Sequence, residues 1–332
     1  MTTTTPRTRT FDPEQALPLA TFAEITDVRV EHPRWIEKEA RQRKRPRSLT
    51  RDGRLVLLAI DHPARGVTAI RGDALAMGNR YQYLARTRRV LDDPGLDGVV
   101  ATADLLEELL ILSHLERREG GRGFLDGRVL VGSMNRGGLA GTSFEMDDAF
   151  TGIGAARLAE LRCQGGKMMY RLEPQEAGSG RTIVACAQAL NDLRRERLAA
   201  FLEPLGVARG GSGYDPAKDA ATLVRQCGIA AGLGDSSAHL WLKLPYGDGF
   251  ESVCRATTLP ILLLGGPARE SPAATLKDFA SGLAAGPNVR GAIIGRNLLF
   301  PGDADPLPMC RALTALVHRG ASLDGALREL ER

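Results

Sequence analysis

Lys243 stands near the end of an otherwise apolar run, Leu240-Trp241-Leu242-Lys243-Leu244-Pro245-Tyr246. An ammonium group surrounded by hydrocarbon is penalised by desolvation, so its pKa falls. At the unperturbed value of ~10.4 only about one amine in a few thousand is neutral at pH 7, whereas a pKa of ~7–8 leaves a large fraction nucleophilic. A neutral amine attacks a carbonyl, and the resulting iminium accepts electrons from a breaking C–C bond. The same run allows a structural alternative, in which the lysine stem packs in a core and its head pairs with a carboxylate.

Lys167, in Gly165-Gly166-Lys167-Met168-Met169-Tyr170-Arg171, is a second cation in an apolar run, and Glu203 ends another in Phe201-Leu202-Glu203-Pro204. Facing inward together, they would supply a general acid and base beside Lys243, and Lys167 would depress its pKa further. The alternative is a structural Lys–Glu pair that neutralises a core. Asp61 closes the run Arg54–Ile60 and is read either as orienting substrate hydroxyls or as capping a turn, with His62 beside it touching substrate. Two loops, Leu263-Leu264-Gly265-Gly266-Pro267 and Ile294-Gly295-Arg296-Asn297, let backbone N–H groups approach phosphate oxygens, and Arg296 adds a charged fork. Arg171 is a further candidate for holding substrate or phosphate. The 5 His (His32, His62, His114, His239, His318) and 5 Cys show no metal-ligand spacing and no C-x-x-C. No metal and no cofactor is expected, which disfavours a metal-dependent aldolase or hydrolase.

Eight short apolar runs must position these groups: Arg54–Ile60, Asp97–Ala101, Val129–Ser133, Lys167–Leu172, Ala199–Glu203, Ala238–Leu244, Pro260–Leu264 and Gly291–Ile294. Helix-like stretches separate them, among them Leu84–Leu91, Leu105–Arg118, Thr182–Arg197, Ala217–Gly232 and Ala273–Ala284. Strands that are apolar on both faces and alternate with helices belong to a parallel sheet covered by its crossovers. Eight such units in about 250 residues predict a single α/β domain, a (β/α)8 TIM barrel spanning residues 53–332. No G-x-G-x-x-G follows the first strand, which argues against a dinucleotide-binding fold. In a barrel, chemistry sits at the C-terminal ends of the strands, where the polar residues above fall. Residues 1–52 form an N-terminal extension. Its Thr-rich first ten residues are expected to be disordered, residues 34–44 to form a short helix, and the basic stretch at 41–51 to be a solvated linker.

The chain has 332 residues, 44 Lys+Arg against 40 Asp+Glu, and a formal charge of +4. That surplus is too small to imply nucleic acid, and no apolar run approaches the ~18 residues of a membrane span. A small-molecule partner, a cytoplasmic location and no membrane association are the expectation.

The block LWLKLPYGDGFESVCRATTLPILLLGGP, followed by GAIIGRNLLF, resembles the class I fructose-bisphosphate aldolases of the archaeal type. LLAIDHPARG is similar to the Asp-containing first-strand motif of that superfamily. GGKMMYRLEPQ and AAFLEPL look like its tagatose-bisphosphate and sulfosugar-phosphate branch. The resemblance covers residues 54–300. It implies that Lys243 forms the Schiff base, that Lys167 and Glu203 assist proton transfer and that Asp61 engages substrate. It also implies that Gly265, Gly266, Gly295 and Arg296 hold the phosphate of dihydroxyacetone phosphate, and that the protein is a homo-oligomeric lyase of carbohydrate metabolism. Archaeal-type enzymes place a tyrosine acid near the fifth strand, where Glu203 stands here, so the proton donor stays open. The chain also resembles an offshoot labelled deoxyribose-phosphate aldolase or linked to inositol breakdown, which implies 5-dehydro-2-deoxygluconate 6-phosphate beside a ketose bisphosphate as substrate. A deoxyribose-phosphate-type aldolase, a Schiff-base transferase on the same barrel and a non-catalytic phosphosugar sensor are the alternatives.

Overall fold

The computed structural model describes residues 10–210 and 213–331. Nine strands follow in chain order: β1 (Leu55–Ala59), β2 (Gly98–Ala101), β3 (Val129–Ser133), β4 (Gly165–Leu172), β5 (Ala199–Gly210), β6 (Gly213–Pro216), β7 (Leu240–Leu244), β8 (Ile261–Leu264) and β9 (Val289–Ile294). Eight of them pair in parallel around a ring, β1-β2-β3-β4-β5-β7-β8-β9, and β9 returns to β1 to close it. Each expected run overlaps one ring strand, and the fold is the (β/α)8 barrel. β6 lies outside the ring, antiparallel to the end of β5.

The β5–β6 hairpin is a departure from the expected end at Glu203. Pro204 has no N–H to donate, yet β5 continues past it to Gly210. Its pairing with β7 has already ended at Leu202, so the missing donor falls where no neighbour requires it, while pairing with β4 runs on to Gly206. Sequence punctuation marks the proline but not which edge is free.

Side chains alternate across each strand, and this builds two apolar layers. Leu55, Leu57, Val100, Val131, Phe201, Leu262 and Ile293 fill the barrel interior. Their neighbours Val56, Leu58, Ile60, Val99, Leu130, Leu202 and Ile294 pack outward beneath the helices. No helix among the described residues is long and apolar enough to cross a membrane.

The extension is more ordered than its composition suggests. Residues 1–9, most of the stretch expected to be disordered, lie outside the described residues. Helices Leu19–Glu31 and Trp35–Gln42 bury Ile25, Val28, Ile36 and Ala40 against the barrel. The basic stretch at 41–51 is not a solvated linker throughout. Arg43 is buried and donates to the carbonyls of Arg128 (3.2 Å) and Arg162 (2.5 Å), while Leu49 packs against the interior layer. A guanidinium carries five donors, enough to satisfy carbonyls of several segments at once.

His318 ties this end of the barrel shut. Its Nδ1 lies 2.8 Å from Asp52 Oδ2 and its Nε2 2.9 Å from Asp97 Oδ2. Burial works against its charge, but the two carboxylates outweigh burial and raise its pKa above the ordinary value. A raised pKa contributes stability that is present below the unfolded value of ~6.5 and lost as pH rises through the folded value. The stability lost in His318→Gln, read from urea midpoints, is therefore expected to be largest near pH 6 and to shrink toward pH 9. A loss that does not change with pH would disprove this role.

Candidate active site

Period-2 alternation turns the polar residues of several strands into one inward layer above the apolar interior. Lys167 is in register with Ser133 on β3, and Glu203 with Met169 on β4. On β7, Lys243 follows Trp241 on the inward row. Lys243 Nζ donates to Glu203 Oε2 at 2.8 Å, and Lys167 Nζ lies 3.2 Å from that same oxygen. Lys167 also donates to Asp61 Oδ2 at 3.1 Å, and Ser133 Oγ donates to it at 2.6 Å. The chain Lys243–Glu203–Lys167–Asp61–Ser133 is thus continuous, with both lysines and Glu203 buried.

The two lysines differ in what surrounds them. Lys243 is lowered from the ordinary lysine range by burial and by repulsion from Lys167, which the contacting carboxylate of Glu203 and the more distant one of Asp61 do not offset. Burial lowers Lys167 as well, but Asp61 and Glu203 on either side outweigh it and raise its pKa. Burial would raise both carboxyls, yet Lys243 and Lys167 hold Glu203 well below the carboxylate range, and Lys167 leads the groups that do the same for Asp61. The layer thus holds two carboxylates, one lysine whose charge they reinforce and a second lysine whose pKa is lowered.

The opposite wall is built for an anion. Asp61, His62, Arg65, Lys167, Glu203, Lys243, Gly265, Gly266, Gly295 and Arg296 line one cavity of about 460 Å³. Arg65 sits in the 3-10 turn Pro63–Arg65 after β1, and Arg296 follows β9, its neighbour in the ring. The Nε atoms of both are buried without a hydrogen-bond partner, and no carboxylate pairs with either among the described residues. Burial lowers the Arg296 pKa, and Arg65 lowers it further, so the two guanidinium groups repel each other in this cavity. Burial and the nearby cations outweigh Asp61 and push His62 down to about 3, leaving it neutral.

The glycines are required by space and backbone. A Cβ on Gly295 would lie 2.4 Å from His62 Cε1 and 2.5 Å from the Ala59 carbonyl, and Gly266 has φ +67°, a left-handed conformation. Asn297 locks the two loops together. Its Nδ2 donates to the carbonyls of Gly265 (2.7 Å) and Pro267 (2.8 Å), and its Oδ1 accepts from the Arg269 N–H (2.7 Å).

The structure brings together nine of the ten residues singled out from the sequence. The tenth, Arg171, faces inward above Met169 but does not line this cavity, because it pairs with Glu145 Oε1 at 2.5 Å. Arg65, Ser133 and Asn297 are the groups whose tasks sequence reasoning missed. The signal for Arg65 was present in LLAIDHPARG, a basic residue just past a strand-end Asp-His. No three His, Cys, Asp or Glu among the described residues converge in a way that could hold a metal ion.

Residues 53–312 match the Cgl0159-like family. The structure of Cgl0159 from Corynebacterium glutamicum is 35% identical, with a TM-score of 0.85 over 92% of this chain and 99% of that one. An archaeal fructose 1,6-bisphosphate aldolase is 20% identical, with a TM-score of 0.57 over 86% of this chain and 100% of that one. Fructose-bisphosphate aldolase from Slackia heliotrinireducens is 14% identical, with a TM-score of 0.62 over 97% and 96%. At those identities the two structures establish a shared (β/α)8 barrel fold. No curated protein matches the chain.

Proposed function

The chain belongs to the Cgl0159-like family, and on that premise we propose that it is a metal-independent class I aldolase. It cleaves a phosphorylated keto sugar or sugar acid, such as a ketose bisphosphate or 5-dehydro-2-deoxygluconate 6-phosphate, to dihydroxyacetone phosphate and an aldehyde. The observation that carries this reading is that two buried lysines share Glu203 Oε2 while Lys167 alone has a second carboxylate in Asp61, so that Lys243 is the less compensated amine and the one whose pKa is lowered. A phosphosugar sensor has no need of such an amine.

The substrate phosphate is met by Arg65, Arg296 and the glycine loops. This presents the ketone to Lys243 Nζ, whose lone pair adds to the carbonyl carbon to form a carbinolamine. Proton delivery to its hydroxyl from the Lys167–Glu203 pair releases water and leaves the iminium. A carboxylate then takes the proton of the hydroxyl on the far carbon of the scissile bond, the C–C electrons move into the iminium, and that carbon departs as the aldehyde. The enamine left on Lys243 is protonated at carbon, and water hydrolyses the new iminium to dihydroxyacetone phosphate and free lysine. Asp61, anchored by Ser133, orients substrate hydroxyls and keeps Lys167 charged throughout.

Borohydride reduction in the presence of dihydroxyacetone phosphate and EDTA, followed by peptide mass mapping, tests the assignment. A stable adduct on Lys243 and none on Lys167 is expected. An adduct on Lys167, or none at all, refutes it. Release of dihydroxyacetone phosphate rather than acetaldehyde separates this activity from a deoxyribose-phosphate-type aldolase.

A further inference from the structure

Arg65 and Arg296 stand at the β1–β9 side of the barrel mouth with no carboxylate partner among the described residues. β4 lies across the ring, and its inward row rises from Lys167 through Met169 to Arg171. At ~3.3 Å per residue, Arg171 stands roughly 7 Å above Met169 toward the mouth. It is the basic side chain that a substrate reaching across the cavity from the arginine pair would approach. It is also already neutralised. Arg171 Nη1 contacts Glu145 Oε1 at 2.5 Å, Glu145 Oε2 accepts from the Gly141 N–H at 3.1 Å, and the side chains are only 8% and 10% exposed. Met146, Met169, Leu205 and Val207 form an apolar cluster at this end of the mouth. Of the other arginines on this rim, Arg209 is paired with Glu176 at 2.8 Å, and Arg136 is exposed and does not line the cavity.

We propose that the site takes a substrate with a single phosphate, and that Glu145 enforces this by occupying Arg171 at the end opposite the arginine pair. The inference rests on the aldolase reading above. A second phosphate arriving at this end would bring a dianion to an apolar environment whose one nearby cation is already paired with Glu145, which leaves its desolvation uncompensated. In a six-carbon ketose bisphosphate the second phosphorus lies two bonds beyond the terminal carbon. The carboxylate of a six-carbon sugar acid ends at that carbon. Of the two substrate classes named above, the sugar-acid monophosphate brings a shorter monoanion to this end and the ketose bisphosphate a longer dianion, so the sugar acid meets the smaller penalty.

The test compares fructose 1-phosphate with fructose 1,6-bisphosphate, which share the dihydroxyacetone phosphate half and differ by the second phosphate. The wild-type kcat/KM is expected to favour the monophosphate at least tenfold. Glu145→Gln frees Arg171 and is expected to shift that ratio toward the bisphosphate by tenfold or more. Glu145→Asp keeps the charge and the wild-type preference, and the double variant Glu145→Gln/Arg171→Gln, which has no freed cation, also keeps it. If neither sugar turns over, competition of each against dihydroxyacetone phosphate in the trapping of Lys243 reads the same preference. Equal or better use of the bisphosphate by the wild type overturns the proposal, as does an unchanged ratio in Glu145→Gln. If dihydroxyacetone phosphate itself forms no adduct on Lys243, the aldolase reading has failed. If it does and the bisphosphate is preferred, only the single-phosphate inference falls.

Discussion

Replacing Lys243 with methionine is expected to lower turnover on the order of 10⁵-fold or more while leaving a folded protein that still binds phosphosugar. The size follows from removing a covalent nucleophile rather than a helper, since losses of this order accompany deletion of an attacking group in other covalent enzymes. Methionine is unbranched and fills the space of the lysine stem between apolar neighbours. Loss of the amine leaves Glu203 paired with Lys167 at 3.2 Å, so no buried carboxylate is stranded. Thermal stability is therefore expected to hold or rise. The three readouts separate the alternatives: a sensor would bind as before and have no turnover to lose, whereas a structural Lys243–Glu203 pair would show its effect in the melt. Loss of less than tenfold in kcat would remove Lys243 from the role of nucleophile.

This assignment depends on a property that sequence carries well. A lone cation in an apolar run has its direction fixed by period-2 alternation once the run is a barrel strand. Lys167, Glu203 and Lys243 were legible for that reason, and Asp61 because it directly follows a strand. The barrel itself was legible from a different signal, eight short runs apolar on both faces with helix-like stretches between them. Partnership across loops was not. Arg171 looked like a free cation in its strand, and only the folded chain brings Glu145 from the loop after β3 to occupy it. Arg43 sat in a run of basic residues whose ordinary fate is solvent, and nothing local told that its guanidinium would bond carbonyls contributed by distant segments. Ser133 ended an unremarkable apolar run, and its bond to Asp61 exists because the closed ring places the ends of β1 and β3, with only β2 between them, within side-chain reach.

On the proposed mechanism, the site's charge pattern also gives a reason for two lysines where one would form the covalent bond. Lys167 is held between two carboxylates and cannot readily become neutral, which suits it to donate or stabilise rather than attack. Its retained charge in turn depresses Lys243. Exchanging their surroundings would exchange their roles.

Glu203→Gln is the substitution expected to have the next largest effect, and its pH signature distinguishes proton transfer from packing. Glutamine keeps the shape and leaves one Lys243 partner oxygen, but it cannot exchange a proton, so kcat is expected to fall about 10²–10⁴-fold. The lysine is affected in the opposite sense. The Glu203 carboxylate is the main influence raising the Lys243 pKa against burial and Lys167, so removing its charge lowers that pKa further. The amine must be neutral to attack, which moves the acid limb of the kcat/KM profile to lower pH. Borohydride trapping with dihydroxyacetone phosphate should persist at pH 6, because a larger fraction of Lys243 is then neutral. Weak turnover, preserved trapping and a downward shift of the acid limb together identify Glu203 as a proton carrier. If trapping is lost in step with turnover, Glu203 acts only by placing Lys243. If the acid limb moves upward, the electrostatic account of the two lysines is wrong.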